Sequence, residues 1–355
     1  MEGKTHYERI IGGTQEEKEA ASQELQSAFD ERSQKLAEYE IEKSPEDLEI
    51  LRKTETIIDR MVSEYGGEPK PLPLNHIYVL KPGSVLAMTE GKLAGGIHQA
   101  LGLKVGVERE KSKLLFASTV AHELFHLKSY KSARIGKTTD DVRLYRSGFS
   151  MIDRKDPNKE MGEEKDYFAM LEEAIVAECT KRFLDKISKD EAFSEEAEAV
   201  KKFRDWVVAY YRRDGMPEET AKEFERELIY ISEPQDKVER VLAFSDDEEK
   251  RQAYAAEMFR TLYEKGEFEA VERYQERKKL YELLDKIIEG SAGKFKNRDE
   301  VFDEFAKANF SGNYLPLART VENILGKGSF RRLAEEFSEE PEKKEEHETS
   351  EETNS

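Results

Sequence analysis

The sequence predicts an α+β protein: a small sheet and two buried helices carrying polar side chains, flanked by mainly helical N- and C-terminal regions. Three observations predict it. Short β-branched runs punctuated by Pro and Gly occupy residues 74 to 107, and two segments with a helical apolar stripe follow at 114–125 and 167–183. From residue 186 onward helical periodicity dominates a chain in which 38% of residues are charged.

Residues 1–43 form a predicted helical arm. The stretch from Gln15 to Glu42 is rich in Glu, Lys, Gln and Ala, and Leu25, Phe29, Leu36 and Tyr39 share one broad face. A central domain is expected over 44–185. It opens with a helix that has Ser44 as N-cap and Pro45 at the first position, with Leu48, Leu51, Ile58, Met61, Val62 and Tyr65 as its stripe. Gly66 and Gly67 stop it. The runs Leu74 to Leu80, Ser84 to Met88 and Leu103 to Val107 then read as strands of a small sheet.

The next helix begins near Lys111 and Ser112 and buries Leu114, Leu115, Ala117, Val120, Ala121, Leu124 and Phe125. It carries His122-Glu123-Leu124-Phe125-His126, an H-E-x-x-H pattern. Residues four apart stack on one helical face, so His122 and His126 can present two imidazoles to one cation with Glu123 beside it. Ser118 and Thr119 keep that face or its edge small and polar. A catalytic zinc site takes three protein ligands and leaves a position open. His6, His76, His98 and His347 are the other histidines, and none follows the motif at the spacing of a third histidine ligand. A carboxylate is therefore sought.

The segment from Tyr167 to Phe183 reads as a second apolar helix carrying Glu172, Glu173 and Glu178. At about 100° per residue, Glu173 falls among Ala169, Met170, Val176, Ala177 and Thr180, pointing inward. Glu178 falls beside Lys181 and Arg182 and is expected to face solvent. A buried carboxylate needs a cation or hydrogen-bond donors, and metal ligation by Glu173 supplies one. Glu172, which borders Val176, Cys179 and Phe183, is the competing ligand or a support for one.

His122-Glu-Leu-Phe-His126 followed by Leu171-Glu-Glu-Ala-Ile-Val-Ala177 resembles the gluzincin zinc metallopeptidases, over about residues 75 to 185. The resemblance implies a zincin-like catalytic domain in which His122, His126 and Glu173 bind Zn2+ and Glu123 is the general base for a metal-activated water. It departs from thermolysin-like enzymes in two respects. The gap between His126 and Glu173 is longer, and Ala177 stands where an acidic residue often follows the ligand. The stretch from Tyr145 to Ile152 resembles the Arg-x-Gly plus strand of some small gluzincins. Tyr145, Arg146 and Tyr130 are the candidates for stabilising an oxyanion. By analogy, residues 103 to 108 form the edge strand that pairs with extended substrate.

A helical domain is expected over 186–338, with stripes at Phe203, Trp206, Val207 and Tyr210, at Ala255, Met258, Phe259 and Leu262, and at Val321, Ile324 and Leu325. Residues 339–355 read as an acidic, disordered tail with eight Glu against two Lys. The net charge of −19 disfavours nucleic acid as a partner. No apolar run is long enough for a membrane span, and the start lacks a signal-peptide layout, so a cytoplasmic chain is expected. Cys179 is the lone cysteine and is expected in the core. The expected partner is a peptide or protein substrate. The alternative is a non-catalytic or regulatory binding protein with a structural or residual metal site.

Overall fold

The computed structural model describes residues 9–11, 13–20, 34–69, 71–88, 96–99, 104–135, 142–153, 165–218, 221–222, 234–264 and 274–338. The expected acidic tail and the middle of the N-terminal arm lie outside them. The architecture is α+β, mainly helical with two small sheets.

Helix α1 (Pro45–Glu64) begins as the sequence predicts. The Ser44 hydroxyl accepts from the Asp47 amide at 3.1 Å, and the Asp47 carboxylate accepts from the Ser44 amide at 2.8 Å. This reciprocal box satisfies two amides that a helix start leaves without intrahelical acceptors and is worth about 1 kcal/mol. The stripe of Leu51, Ile58, Met61 and Val62 is buried against the histidine helix.

With β1 (Arg9–Ile11) set aside for the larger sheet, the smaller one contains β2 (Ile77–Leu80), β3 (Gly96–Gln99) and β4 (Lys104–Glu108), in the order β2-β4-β3. β4 pairs in parallel with β2 and antiparallel with β3. Two expectations are corrected here. The expected edge at 103–108 is not one: among the described residues β4 (Lys104–Glu108) is central, and the edge over the histidine helix is β3. Ser84–Met88 is not a strand but a short helix, α2. Its residues Leu86, Ala87 and Met88 favour helix, and the Glu108 carboxylate holds its start by accepting from the Gly83 amide at 2.7 Å and the Val85 amide at 2.6 Å.

Helix α3 (Lys113–Lys128) is almost wholly buried and carries the H-E-x-x-H residues. The larger sheet follows: β5 (Lys131–Ile135), β6 (Val142–Ser147), β7 (Ser150–Asp153) and β8 (Lys165–Tyr167), in the order β1-β5-β6-β7-β8. Helix α4 (Ala169–Ile187) then packs against α3. Beyond it run α5 (Glu191–Arg213), α6 (Pro234–Phe244), α7 (Glu248–Glu264), α8 (Tyr274–Gly290), α9 (Arg298–Ser311), α10 (Leu315–Leu325) and α11 (Ser329–Glu336).

The cores do not follow the expected boundary at residue 186. Phe203, Trp206 and Val207 of α5 join Val238, Val241, Ala255 and Phe259 in a separate small cluster. Leu280, Leu284, Phe302, Phe305, Val321 and Phe337, by contrast, belong to the main core with α1, α3 and α4. The last four helices are therefore part of the body that holds the site. Among the described residues, no helix is long and apolar enough to cross a membrane.

Candidate metal centre

Helix α3 is pinned at both ends. At its start the Ser112 hydroxyl accepts from the Leu115 amide, and the Glu196 carboxylate of α5 accepts from Ser112 Oγ and from the amides of Lys113 and Leu114 at 2.8–3.0 Å. A carboxylate here complements the positive end of the helix. At its end the buried Lys131 ammonium donates to the carbonyls of His126, Leu127 and Ser129 at 2.6–3.2 Å, satisfying acceptors that the helix terminus leaves open. Lys128 adds an ion pair to Asp59 of α1 at 2.5 Å. The histidines thus project from a helix that is fixed in position and rotation.

His122 Nε2 and His126 Nε2 lie 3.1 Å apart. Glu173 Oε2, arriving from α4, is 3.6 Å from the first and 3.4 Å from the second. For a tetrahedral ion with bonds of about 2.0–2.1 Å, neighbouring donor atoms are separated by about 3.3–3.4 Å. The triangle of three donors matches one face of that tetrahedron, so His122, His126 and Glu173 could hold a metal ion. Two nitrogens and one carboxylate oxygen are donors that suit zinc.

The two adjacent glutamates differ in geometry. Glu173 converges on both Nε2 atoms, whereas Glu172 places Oε1 3.7 Å from His126 Nδ1 and uses Oε2 to accept from the Phe149 amide at 2.8 Å. Glu172 therefore stands behind His126, where it can set the orientation of the ring. The close approach depends on Gly148 in the β6–β7 turn, where a Cβ would fall 2.0 Å from Glu172 Oε2.

Electrostatics follow from this packing. Burial lowers the basicity of His126, but Glu173 and then Glu172 outweigh it and push its pKa up to about 9 in the metal-free chain. Burial raises Glu173, yet the two imidazoles hold it well below the usual carboxylate range. Glu123 is also lowered: burial opposes ionisation, and the hydrogen bond from His98 together with the charges of His98, His122 and His126 outweighs it.

His98 is the residue that sequence reasoning passed over. It lies on β3, with Nδ1 2.7 Å from Glu123 Oε2 and its ring stacked on that of His126 at 4.7 Å between centroids. No spacing to the motif announces it, because a sheet edge rather than a helical period brings it there. Burial lowers its pKa.

Tyr145 and Arg146 both lie on β6. β5 pairs Ser132 with Arg146 and Ala133 with Leu144, which leaves Tyr145 as the extra residue of a β-bulge. Arg146 donates through Nε to the Gly148 carbonyl and through Nη1 to the Gly312 carbonyl, and its guanidinium packs on the rings of Tyr130 and Tyr314. Arg146 and Tyr130 thus tie the β6–β7 turn to the α9–α10 junction, and their contacts do not bring them to the donor triangle. Burial lowers the Arg146 pKa.

Glu178 corrects an expectation. It is 6% exposed rather than solvent-facing, because α8 covers that side of α4. Its carboxylate accepts from Arg182 Nε at 3.0 Å and from Tyr281 Oη at 2.5 Å, with Arg277 Nη1 at 3.7 Å. Cys179 is fully buried, as expected, and burial pushes its thiol pKa up.

No protein-family model, curated protein or solved structure matches this chain.

Proposed function

We propose that the chain is a zincin-like metallopeptidase that hydrolyses peptide bonds with zinc held by His122, His126 and Glu173. The observation that carries this reading is the convergence of three donor atoms at 3.1–3.6 Å, with a fourth ionisable group, Glu123, on the helix of the two histidines.

Zinc bound there supplies Lewis acidity, which polarises a carbonyl and lowers the pKa of water toward about 7. The remaining work falls to side chains. Glu123, held ionised, takes the proton of the attacking water and returns it to the leaving amine. Glu172 keeps His126 turned toward the donor triangle. β3 leaves one edge without a partner strand among the described residues, beside the helix that carries Glu123, where an extended peptide could add its backbone hydrogen bonds. The proposed substrate is accordingly a peptide or an extended protein segment.

The test is metal content after gel filtration, for the wild type beside His122→Ala, Glu173→Ala and Glu123→Gln, followed by a peptide library on the zinc-loaded protein. The reading predicts about one zinc per chain, lost in the first two variants and kept in the third, with cleavage abolished in all three. A zinc site that cleaves no library peptide would favour the alternative of a binding protein with a structural metal. A wild type that takes up no zinc on reconstitution would overturn both.

A further inference from the structure

We propose that Gly96 and His98 form a cradle on the edge strand that positions the carboxylate of Glu123, with His98 as its hydrogen-bond donor and Gly96 as the gap that receives it. The inference rests on the peptidase reading for its catalytic consequence, and on geometry alone for the cradle.

Residues 96 and 98 are two apart on β3 and so share a face of the strand. Both meet Glu123. A Cβ on Gly96 would lie 2.7 Å from Glu123 Cγ and 3.0 Å from Oε1, closer than side chains tolerate, so only glycine lets the strand pass this near the carboxylate. His98 Nδ1 stands 2.7 Å from the other oxygen, Oε2. Where a ring nitrogen meets a carboxylate oxygen at this distance the nitrogen donates and the oxygen accepts, so the contact places a hydrogen on Nδ1. The ring is held in turn by stacking on His126 at 15° between planes.

The two contacts divide the carboxylate. His98 binds Oε2 and leaves Oε1 to accept a proton, while a side chain at 96 would cover Oε1. Gly96 therefore keeps the reactive oxygen open, and His98 removes the rotation that would carry it out of line. His98 acts through Glu123 and is a positioning residue. A misplacement of about 1 Å in a catalytic group costs up to about a hundredfold in rate.

The experiment uses the full chain loaded with zinc. His98→Ala and Gly96→Ala should each keep one zinc per chain and lower kcat about tenfold to a hundredfold with KM nearly unchanged. His98→Asn, which sets an amide donor where Nδ1 stands, should restore most of kcat. In parallel, nitrogen NMR of the histidine-labelled protein, with the His98 ring assigned as the signal missing from His98→Ala, should show that ring protonated at Nδ1, and Glu123→Ala should shift that signal. Loss of zinc in His98→Ala would make His98 a ligand and overturn the proposal. So would an unchanged kcat, an Asn variant as slow as Ala, or a His98 ring protonated at Nε2 and insensitive to Glu123. The NMR arm needs no substrate: should the wild type cleave no peptide, the functional reading fails while the His98 signal still decides the cradle.

Discussion

Glu172 Oε1 stands 3.7 Å from His126 Nδ1, on the opposite side of the imidazole from the Nε2 atom that faces Glu173. At that distance the contact is one of charge rather than a hydrogen bond. The two neighbouring glutamates of α4 thus address the two nitrogens of one ring, and their replacement should separate cleanly. Glu173→Ala removes a donor atom and should abolish stoichiometric zinc. Glu172→Ala leaves the triangle intact but frees the ring, and should weaken zinc binding about 10- to 100-fold. Competition with a chromogenic chelator measures both without a substrate. Equal losses in the two variants would show that this division is mistaken.

Zinc uptake should depend on pH through His126. With its pKa raised to about 9 in the metal-free chain, the ring is protonated at pH 7, and a metal must displace that proton. Affinity should therefore climb by up to about tenfold per pH unit between 7 and 9, then level off as the ring deprotonates unaided. Calorimetry at pH 7 in buffers of different ionisation enthalpy should report release of about one proton per zinc. A binding enthalpy independent of buffer would contradict the assignment.

Gly148 connects the site to the larger sheet. It sits at φ 54°, and a Cβ there would lie 2.0 Å from Glu172 Oε2 and 2.2 Å from Asn309 Oδ1. Gly148→Ala adds left-handed strain of about 1 kcal/mol to a clash with two buried polar groups that cannot both retreat. Stability should fall by at least about 2 kcal/mol in urea titration, and zinc affinity should fall with it because Glu172 is displaced. A variant that loses stability but binds zinc as tightly as the wild type would uncouple Glu172 from the site.

The parts of the site that were legible in the sequence are those fixed by a local period. His122 and His126 are four apart on one helix, and Glu173 shares the small-residue face of the next, so a helical wheel suffices for all three. The start of α1 was legible for the same reason, since Ser44, Pro45 and Asp47 act within one turn. What could not be read depends on which distant element covers a face. Glu178 looks solvent-facing beside Lys181 and Arg182 until α8 brings Tyr281 and Arg277 against it. His98 and Gly96 matter only because β3, rather than β4, occupies the sheet edge over α3. Strand order is a tertiary outcome, and neither residue type nor alternation along residues 96–108 encodes it.

The Glu178 network supplies a stability prediction independent of the metal. Arg277 is 0% exposed, and Arg182 reaches Glu178 from the same helix one turn on. Two cations and a phenol hydroxyl converge on one buried carboxylate. Its removal takes the carboxylate away from the buried Arg277 and from Arg182, and breaking a buried pair by removing one partner costs about 3–5 kcal/mol, more than the net worth of the intact pair. Glu178→Ala should lower the unfolding free energy from urea titration by that amount with little change in slope, while Glu178→Gln, which keeps an acceptor for Tyr281, should lose less. Zinc content should be unaffected in both folded variants, because Glu178 lies on the side of α4 that faces α8 and not α3. A Glu178→Ala protein within about 0.5 kcal/mol of the wild type would mean that water or Asp303, 3.3 Å from Arg182 Nη1, takes over the charge.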